Sequence, residues 1–246
     1  MRLNEETEYR PKPMIEVGGR PILWHIMRSY RAYGVREFVL CLGYKGDVIR
    51  DYFINYPYRG GSDVRVDLAD GRIDVLTKEK IDWRVTLVET GLETMTGARI
   101  RRAVKYVTGT RFFATYGDGV SDINFTTLLD FHVSQERLAT VTAVRAPSRF
   151  GELSLDGSLV TSFIEKPQTS TGWINGGFLV LETKAVHDLP EDEGLVLESA
   201  LLKSLAIRRE LAVYKHTGFW QCMDTNRELQ LLNGMWDSGN APWVVD

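Results

Sequence analysis

Phe38-Val39-Leu40-Cys41-Leu42-Gly43 is the stretch on which the fold turns. Five apolar residues in a row, without in–out alternation and stopped by a glycine, predict a strand buried on both faces, the kind found inside a parallel sheet. Before it, Gly18-Gly19-Arg20-Pro21 opens a run in which Ile22, Leu23, Ile26, Met27 and Tyr30 recur at helical spacing. Pro21 near the first helical position and Gly34 past the end mark the limits of that helix. After it, Val48, Ile49, Tyr52 and Phe53 predict a second helix from about Asp47 to Tyr56. This is the strand–helix rhythm of a doubly wound α/β sheet.

The remainder extends the pattern. Strands are expected at Val64–Leu68, Ile73–Thr77, Val85–Glu89, Phe112–Tyr116, Ala139–Val144, Leu153–Leu155, Val160–Ile164, Gly177–Leu181 and Leu211–Lys215. Helices are expected around Ile100–Val107, Phe125–Val133, Leu197–Ile207 and Asn226–Trp236. The chain of 246 residues is 43% hydrophobic and 26% charged, the balance of a water-soluble domain with a large core. Its 30 basic and 33 acidic residues leave a net charge of −3, so there is no basic field for nucleic acid or an anionic membrane. No apolar run approaches the roughly twenty residues of a membrane span, and Met1-Arg2-Leu3-Asn4-Glu5-Glu6 does not read as a signal peptide. Cys41 and Cys222 form no CxxC pair, which excludes a disulfide scaffold and a cysteine-rich zinc site. The expectation is one cytoplasmic α/β domain with a β-rich insertion and a helical C-terminal cap.

Several motifs carry chemistry, each with a plainer alternative. Phosphate-loop, nucleophile-elbow and HExxH patterns are absent, and His25, His132, His187 and His216 are dispersed in apolar or surface contexts. Gly117-Asp118-Gly119 follows an apolar strand, where ligands of open α/β sheets gather, and a carboxylate there suits Mg²⁺; the alternative is an Asp-Gly turn. In Glu165-Lys166-Pro167 the lysine suits a phosphate and the glutamate sugar hydroxyls; the alternative is a solvated loop pair. Asn175-Gly176-Gly177 inside an apolar strand marks a bulge or a close backbone approach. Asp224 reads as an N-cap or first-turn residue, and becomes a second carboxylate only if it meets Asp118. Pro11-Lys12-Pro13 holds a lysine on a stiff, extended segment.

In this order the motifs resemble those of the sugar-1-phosphate nucleotidyltransferases, over essentially the whole chain. The residues that carry the likeness include Pro11-Lys12-Pro13-Met14, Gly18–Met27, Gly43-Tyr44-Lys45-Gly46 and Met95-Thr96-Gly97-Ala98-Arg99. Thr115–Val120, Arg149-Phe150-Gly151, Glu165-Lys166-Pro167, Ile174–Phe178 and Phe219–Thr225 continue it. The helix-1 block and the block containing Trp220 point to the cytidylyl branch. The resemblance implies a Rossmann-like, doubly wound mixed sheet of the nucleotidyltransferase (GT-A-like) type, spanning 1–246 as a single domain. It also implies Mg²⁺ on Asp118 and Asp224, with CTP and glucose 1-phosphate as partners. Arg2, Lys12 and Lys166 would act in catalysis; Lys12, Thr94, Thr96, Gly97, Arg99 and Gly117 would bind the nucleotide. Gly151, Glu165, Lys166, Asn175 and Gly176 would bind the sugar phosphate. A homo-oligomer is implied, with Asn55-Tyr56-Pro57-Tyr58, Trp236 and Trp243 as candidate contacts or, alternatively, core packing.

The chain departs from the family pattern at its start. The family opens with a strand and a glycine-rich loop of the type LAGGxGTR, and here Arg2 matches the loop's final arginine. About ten residues, the size of a strand and a tight turn, are expected to be missing, so the domain is expected to be N-terminally truncated. Ala98 stands where a second glycine is usual, and Cys222 where a proline is. The alternatives are a transferase of the same fold acting on another nucleotide or sugar, and a non-catalytic sugar-phosphate-binding remnant.

Overall fold

A computed structural model describes residues 8–59, 62–76, 81–145, 152–156, 159–164 and 172–245. Pro21 leads into helix α1 (Ile22–Ala32) with φ −54°, the value its ring imposes, and Gly34 leaves at φ +91°, open to glycine at no steric cost. Leu23 and Met27 pack into one core, and Ile22, Ile26 and Tyr30 into another. Strand β1 (Glu37–Leu42), helix α2 (Gly46–Ile54), a β2–β3 hairpin (Val64–Val66 with Ile73–Val75) and strand β4 (Arg84–Glu89) follow. β1 and β4 pair in parallel, from Glu37 opposite Arg84 to Leu42 opposite Glu89. β1 is less enclosed than its apolar run predicts: Leu42 is buried, whereas Phe38 to Cys41 are half-buried. Its second edge borders a groove.

Helix α3 (Thr96–Ala103) leads to β5 (Arg111–Ala114), β6 (Gly119–Ser121), helix α4 (Phe125–Gln135) and β7 (Ala139–Val144). The β8–β9 hairpin (Glu152–Asp156, Leu159–Ile164) is the antiparallel insertion. β10 (Ile174–Asn175) and β11 (Leu179–Glu182) pair antiparallel with β7, separated by the Gly176–Phe178 bulge with Gly177 at φ +74°. β11 also pairs with β5, and β12 (Leu211–Lys215) lies parallel to β7. Short helix α5 (Thr183–His187) and a π-helical turn, Leu197–Leu202, which runs into α6 (Lys203–Ile207), cover this five-stranded mixed sheet with leucines. β13 (Trp220–Cys222) and α7 (Asn226–Asp237) end the ordered elements.

Of the aromatic residues offered as oligomer contacts, Trp243 belongs to the interior and Trp236 is half-buried against it. Trp243 is 1% exposed, stacks on Phe219 and donates its indole N–H to His25 Nδ1 at 3.3 Å. Trp236 packs edge-on against His25. His25 Nε2–H in turn donates to the Val17 carbonyl at 2.7 Å, and burial lowers its pKa to about 4. Among the described residues no helix is long and apolar enough to cross a membrane.

Candidate active site

Lys12 starts a 3₁₀ turn, Lys12–Met14, anchored by the buried Met14 and Ile15 and bracketed by Pro11 and Pro13. Asp118 occupies the turn between β5 and β6. Asp224 lies two residues past β13. The short β6–β13 ladder pairs Gly119 with Cys222, and the Met223 N–H donates to the Asp118 carbonyl at 2.8 Å, extending the ladder by one step. Residues 106 positions apart are thereby set side by side with a third. Lys12 Nζ donates to Asp224 Oδ1 at 2.7 Å and to Asp118 Oδ2 at 3.2 Å. Burial works against the Lys12 charge, but the hydrogen bonds and charges of Asp224 and Asp118 outweigh it and hold its pKa above the usual lysine range. The three side chains are 33%, 31% and 43% exposed for Lys12, Asp118 and Asp224, so a ligand can reach all of them.

Local chemistry frees Asp224 for this role. The helix α7 N-cap is Thr225: its hydroxyl accepts the Glu228 N–H at 3.3 Å, while Glu228 Oε2 accepts the Thr225 and Asp224 N–H groups at 2.8 and 2.7 Å. The reading of Asp224 as the cap is therefore corrected by one residue. Gly117 permits the close approach of the Lys12 segment, because a Cβ there would lie 2.8 Å from Pro13 Cγ.

One ammonium already lies between oxygens of two carboxylates, and a pair of carboxylate oxygens is a donor set of the kind a hard divalent cation takes. Among the described residues Cys222, Asp224 and Glu228 also place ligand atoms within 4.8 Å of one another. That trio suits such an ion less well. Glu228 Oε2 is spent on two backbone N–H groups, and burial, then Asp224 and Glu228, push the Cys222 thiol up to about 12.

The loop expected to hold the nucleotide is largely committed to the protein itself. At the start of α3, the Gly97 and Ala98 N–H groups both donate to the Leu195 carbonyl, at 2.8 and 3.1 Å, and Met95 N–H donates to Glu193. A Cβ on Gly97 would stand 2.8 Å from that Leu195 oxygen, so this glycine serves packing. Thr94 is buried and accepts from Arg102 at 3.0 Å. Arg99, expected as a direct nucleotide contact, donates to Leu42 O at 3.1 Å, Thr90 Oγ1 at 2.7 Å and Leu92 O at 3.2 Å. It ties the end of β1 to the loop after β4. The contacts with Leu195, Glu193 and Leu42 run between segments far apart in sequence, which is why the motif alone does not disclose them.

A polar chain with no role assigned from sequence links two candidate positions. Asn175 Nδ2 donates to Tyr116 Oη at 3.3 Å, Tyr116 donates to Glu198, and Glu198 accepts from Thr96 Oγ1 at 3.4 Å. Burial, followed by Glu198, raises the Tyr116 pKa well above the phenol range. The Gly176 N–H donates to the Thr142 carbonyl, and its own carbonyl accepts the Trp220 indole N–H at 2.8 Å. Arg2, Gly151, Glu165 and Lys166 lie outside the described residues.

Known proteins repeat this framework. A family model described as nucleotidyl transferase matches residues 1–222. A glucose-1-phosphate cytidylyltransferase of Salmonella typhi is 46% identical over 98% of this chain and 94% of its own length. A mannose-1-phosphate guanyltransferase of Yarrowia lipolytica is 27% identical over 95% of this chain and 60% of its own length. The crystal structure of HddC from Yersinia pseudotuberculosis superposes with a TM-score of 0.61 at 23% identity, covering 92% of this chain and 90% of that one, a likeness of fold. The chain belongs to the nucleotidyl transferase family, and its Rossmann-like α/β fold is that of the sugar-1-phosphate branch.

Proposed function

We propose that this protein transfers a cytidylyl group from CTP to α-D-glucose 1-phosphate, giving CDP-glucose and pyrophosphate. The observation that carries the reading is the Lys12 ammonium held by Asp118 and Asp224, in a chain 46% identical to a glucose-1-phosphate cytidylyltransferase. A sugar-phosphate oxygen attacks the α-phosphorus of CTP, the bond from that phosphorus to the β-phosphate oxygen breaks, and pyrophosphate departs in line. The attacking phosphate is ionised at neutral pH and needs no general base. Both reactants are polyanions, so the task of the protein is to hold them in line against their repulsion.

Asp118 and Asp224 would hold Mg²⁺, which neutralises phosphate charge when bound. Lys12, released from the two carboxylates, swings onto a phosphate oxygen as a point charge on a stiff backbone. Gly117, lacking a side chain, lets Pro13 and with it the Lys12 segment lie close to the Asp118 turn that would face the nucleotide. On the sugar side, Lys166 is assigned to the phosphate, and Glu165 and Asn175 to hydroxyls, with Gly151 flanking them. The Tyr116–Glu198 hydrogen bond orients Asn175.

The test is to incubate the purified protein with glucose 1-phosphate, Mg²⁺ and each of CTP, UTP, dTTP and GTP, and to quantify nucleotide sugar and pyrophosphate. CDP-glucose formed in equimolar amount with pyrophosphate supports the reading. Equal turnover of all four nucleotides overturns the cytidine assignment, and no product with any of them overturns the reaction.

A further inference from the structure

Residues 193–198 touch both halves of the candidate site. Their backbone holds the loop assigned to the nucleotide. Met95 N–H donates to the Glu193 carbonyl at 2.9 Å, Gly97 and Ala98 N–H donate to Leu195, and Leu197 N–H donates to Thr96 Oγ1 at 3.0 Å. One residue on, the Glu198 side chain reaches toward the other half. It accepts from Thr96 Oγ1 at 3.4 Å through one carboxylate oxygen and from the Tyr116 hydroxyl through the other. The backbone that carries it is fixed: buried Leu197 and Leu201 pin the π-helical turn into the leucine core. A π turn is a rare element that recurs at functional sites.

The chain of bonds has a direction. A carboxylate only accepts, so Tyr116 donates to Glu198 and its oxygen is left to accept in turn. Asn175 Nδ2 fills that place at 3.3 Å, while Asn175 Oδ1 accepts the Gly177 N–H at 2.9 Å. The exposed amide is thus oriented from both ends, with one N–H and one lone pair still to give. The Tyr116 ring lies against the same bulge, since a Cβ on Gly177 would stand 3.0 Å from its Cδ2. We propose that Glu198 is a positioning residue that sets the distance between the sugar-binding and nucleotide-binding halves of the site, acting through Tyr116 on Asn175. In-line transfer depends on that spacing, and a misplacement of about 1 Å costs ~10²-fold in rate. The inference rests on the transferase reading above and on the assignment of Asn175 to a sugar hydroxyl.

The experiment compares Glu198→Ala, Glu198→Gln, Tyr116→Phe and the double variant Glu198→Ala/Tyr116→Phe with the parent, well below Tm. In steady-state kinetics Glu198→Ala should lower kcat about tenfold and raise KM for glucose 1-phosphate about tenfold. KM for CTP should change by less than about twofold, because the Leu197 N–H still holds Thr96. Glu198→Gln keeps an acceptor for Tyr116 and should stay within about threefold of the parent. Tyr116→Phe should reproduce the Glu198→Ala loss, and the double variant should lose no more than either single one. Amide hydrogen exchange reads the link without turnover: at Gly177 it should quicken about tenfold in Glu198→Ala and in Tyr116→Phe, with Gly97 and Ala98 unchanged. Additive losses, a Gln variant as impaired as the Ala one, an unchanged KM for glucose 1-phosphate, or unchanged exchange at Gly177 would each overturn the proposal. If the parent yields no nucleotide sugar, the transferase reading fails, and exchange at Gly177 still decides whether Glu198 positions Asn175. Should Glu198→Ala not fold, Tyr116→Phe breaks the same link from its other end.

Discussion

The two walls of the cleft use the same kinds of residue and spend them differently. On one wall, Lys12, Asp118 and Asp224 satisfy one another and stay roughly a third exposed. On the other, the first amides of α3 and the Arg99 guanidinium are bonded to carbonyls of the protein. A hydrogen-bonding group serves a ligand only where the fold leaves it something to give. The largest expected effects therefore fall on the first wall. Asp118→Asn, Asp224→Asn and Lys12→Met should each lower kcat about 10²–10³-fold, the scale of losing one preorganised electrostatic contact. Their Tm values should stay close to the parent, because a partly exposed ion pair contributes little to folding. Steady-state kinetics beside thermal denaturation checks this, and a matching collapse of Tm would move these residues into the structural class.

What the sequence disclosed follows from where the physics is local. The strand expected at Ala139–Val144 coincides with β7, and the one expected near Leu211–Lys215 with β12, because their apolar and β-branched runs are bounded by charged residues and turns. The three-residue strands Gly119–Ser121 and Trp220–Cys222 were missed, since so short a segment beside glycine has no period to detect. Yet this ladder sets Asp118 beside Asp224. The aspartates were legible as candidates through their place after a strand and before a helix, whereas their meeting depends on a contact across the chain. Gly97 and Arg99 show the converse: a motif readable in one segment, with the partners Leu195 and Leu42 in others.

Histidine sharpens the contrast between spent and unspent groups. His25 accepts from Trp243 and donates to Val17, an arrangement that only the neutral ring can make. Its pKa is lowered by burial to about 4, from an ordinary 6.5. Between those values the unfolded chain binds the proton that the folded chain refuses, so stability is complete above pH 6.5 and falls as the pH drops toward 4. The loss attributable to this residue should reach about 3 kcal/mol. Urea unfolding across that range would show it, and His25→Gln should flatten the profile.

Arg99 comes next. Arg99→Ala removes three donors to Leu42, Thr90 and Leu92, and should lower stability by about 2 kcal/mol. If Arg99 acts only through position, KM for the nucleotide should rise no more than about threefold at temperatures well below Tm. A KM increase of two orders of magnitude with unchanged Tm would return Arg99 to the nucleotide.

The smallest effect belongs to Cys222, although its thiol touches the Asp224 carboxylate. A cysteine beside a candidate catalytic aspartate invites a reading as a nucleophile, and its surroundings argue the opposite. Burial, and then Asp224 and Glu228, together raise its pKa to about 12, and the thiol donates to Asp224 Oδ2 at 3.5 Å. A thiolate there would face two carboxylates with no neighbouring cation of its own, since Lys12 is engaged by Asp118 and Asp224. Cys222→Ser keeps a donor toward Asp224 and should change kcat by less than about twofold. Iodoacetamide should modify Cys222 far more slowly in the folded protein at pH 8 than in urea, as mass spectrometry of the digested protein would report. Rapid labelling of the folded protein would mean that this wall is held open, and that the carboxylate pair is set by something other than the β6–β13 ladder.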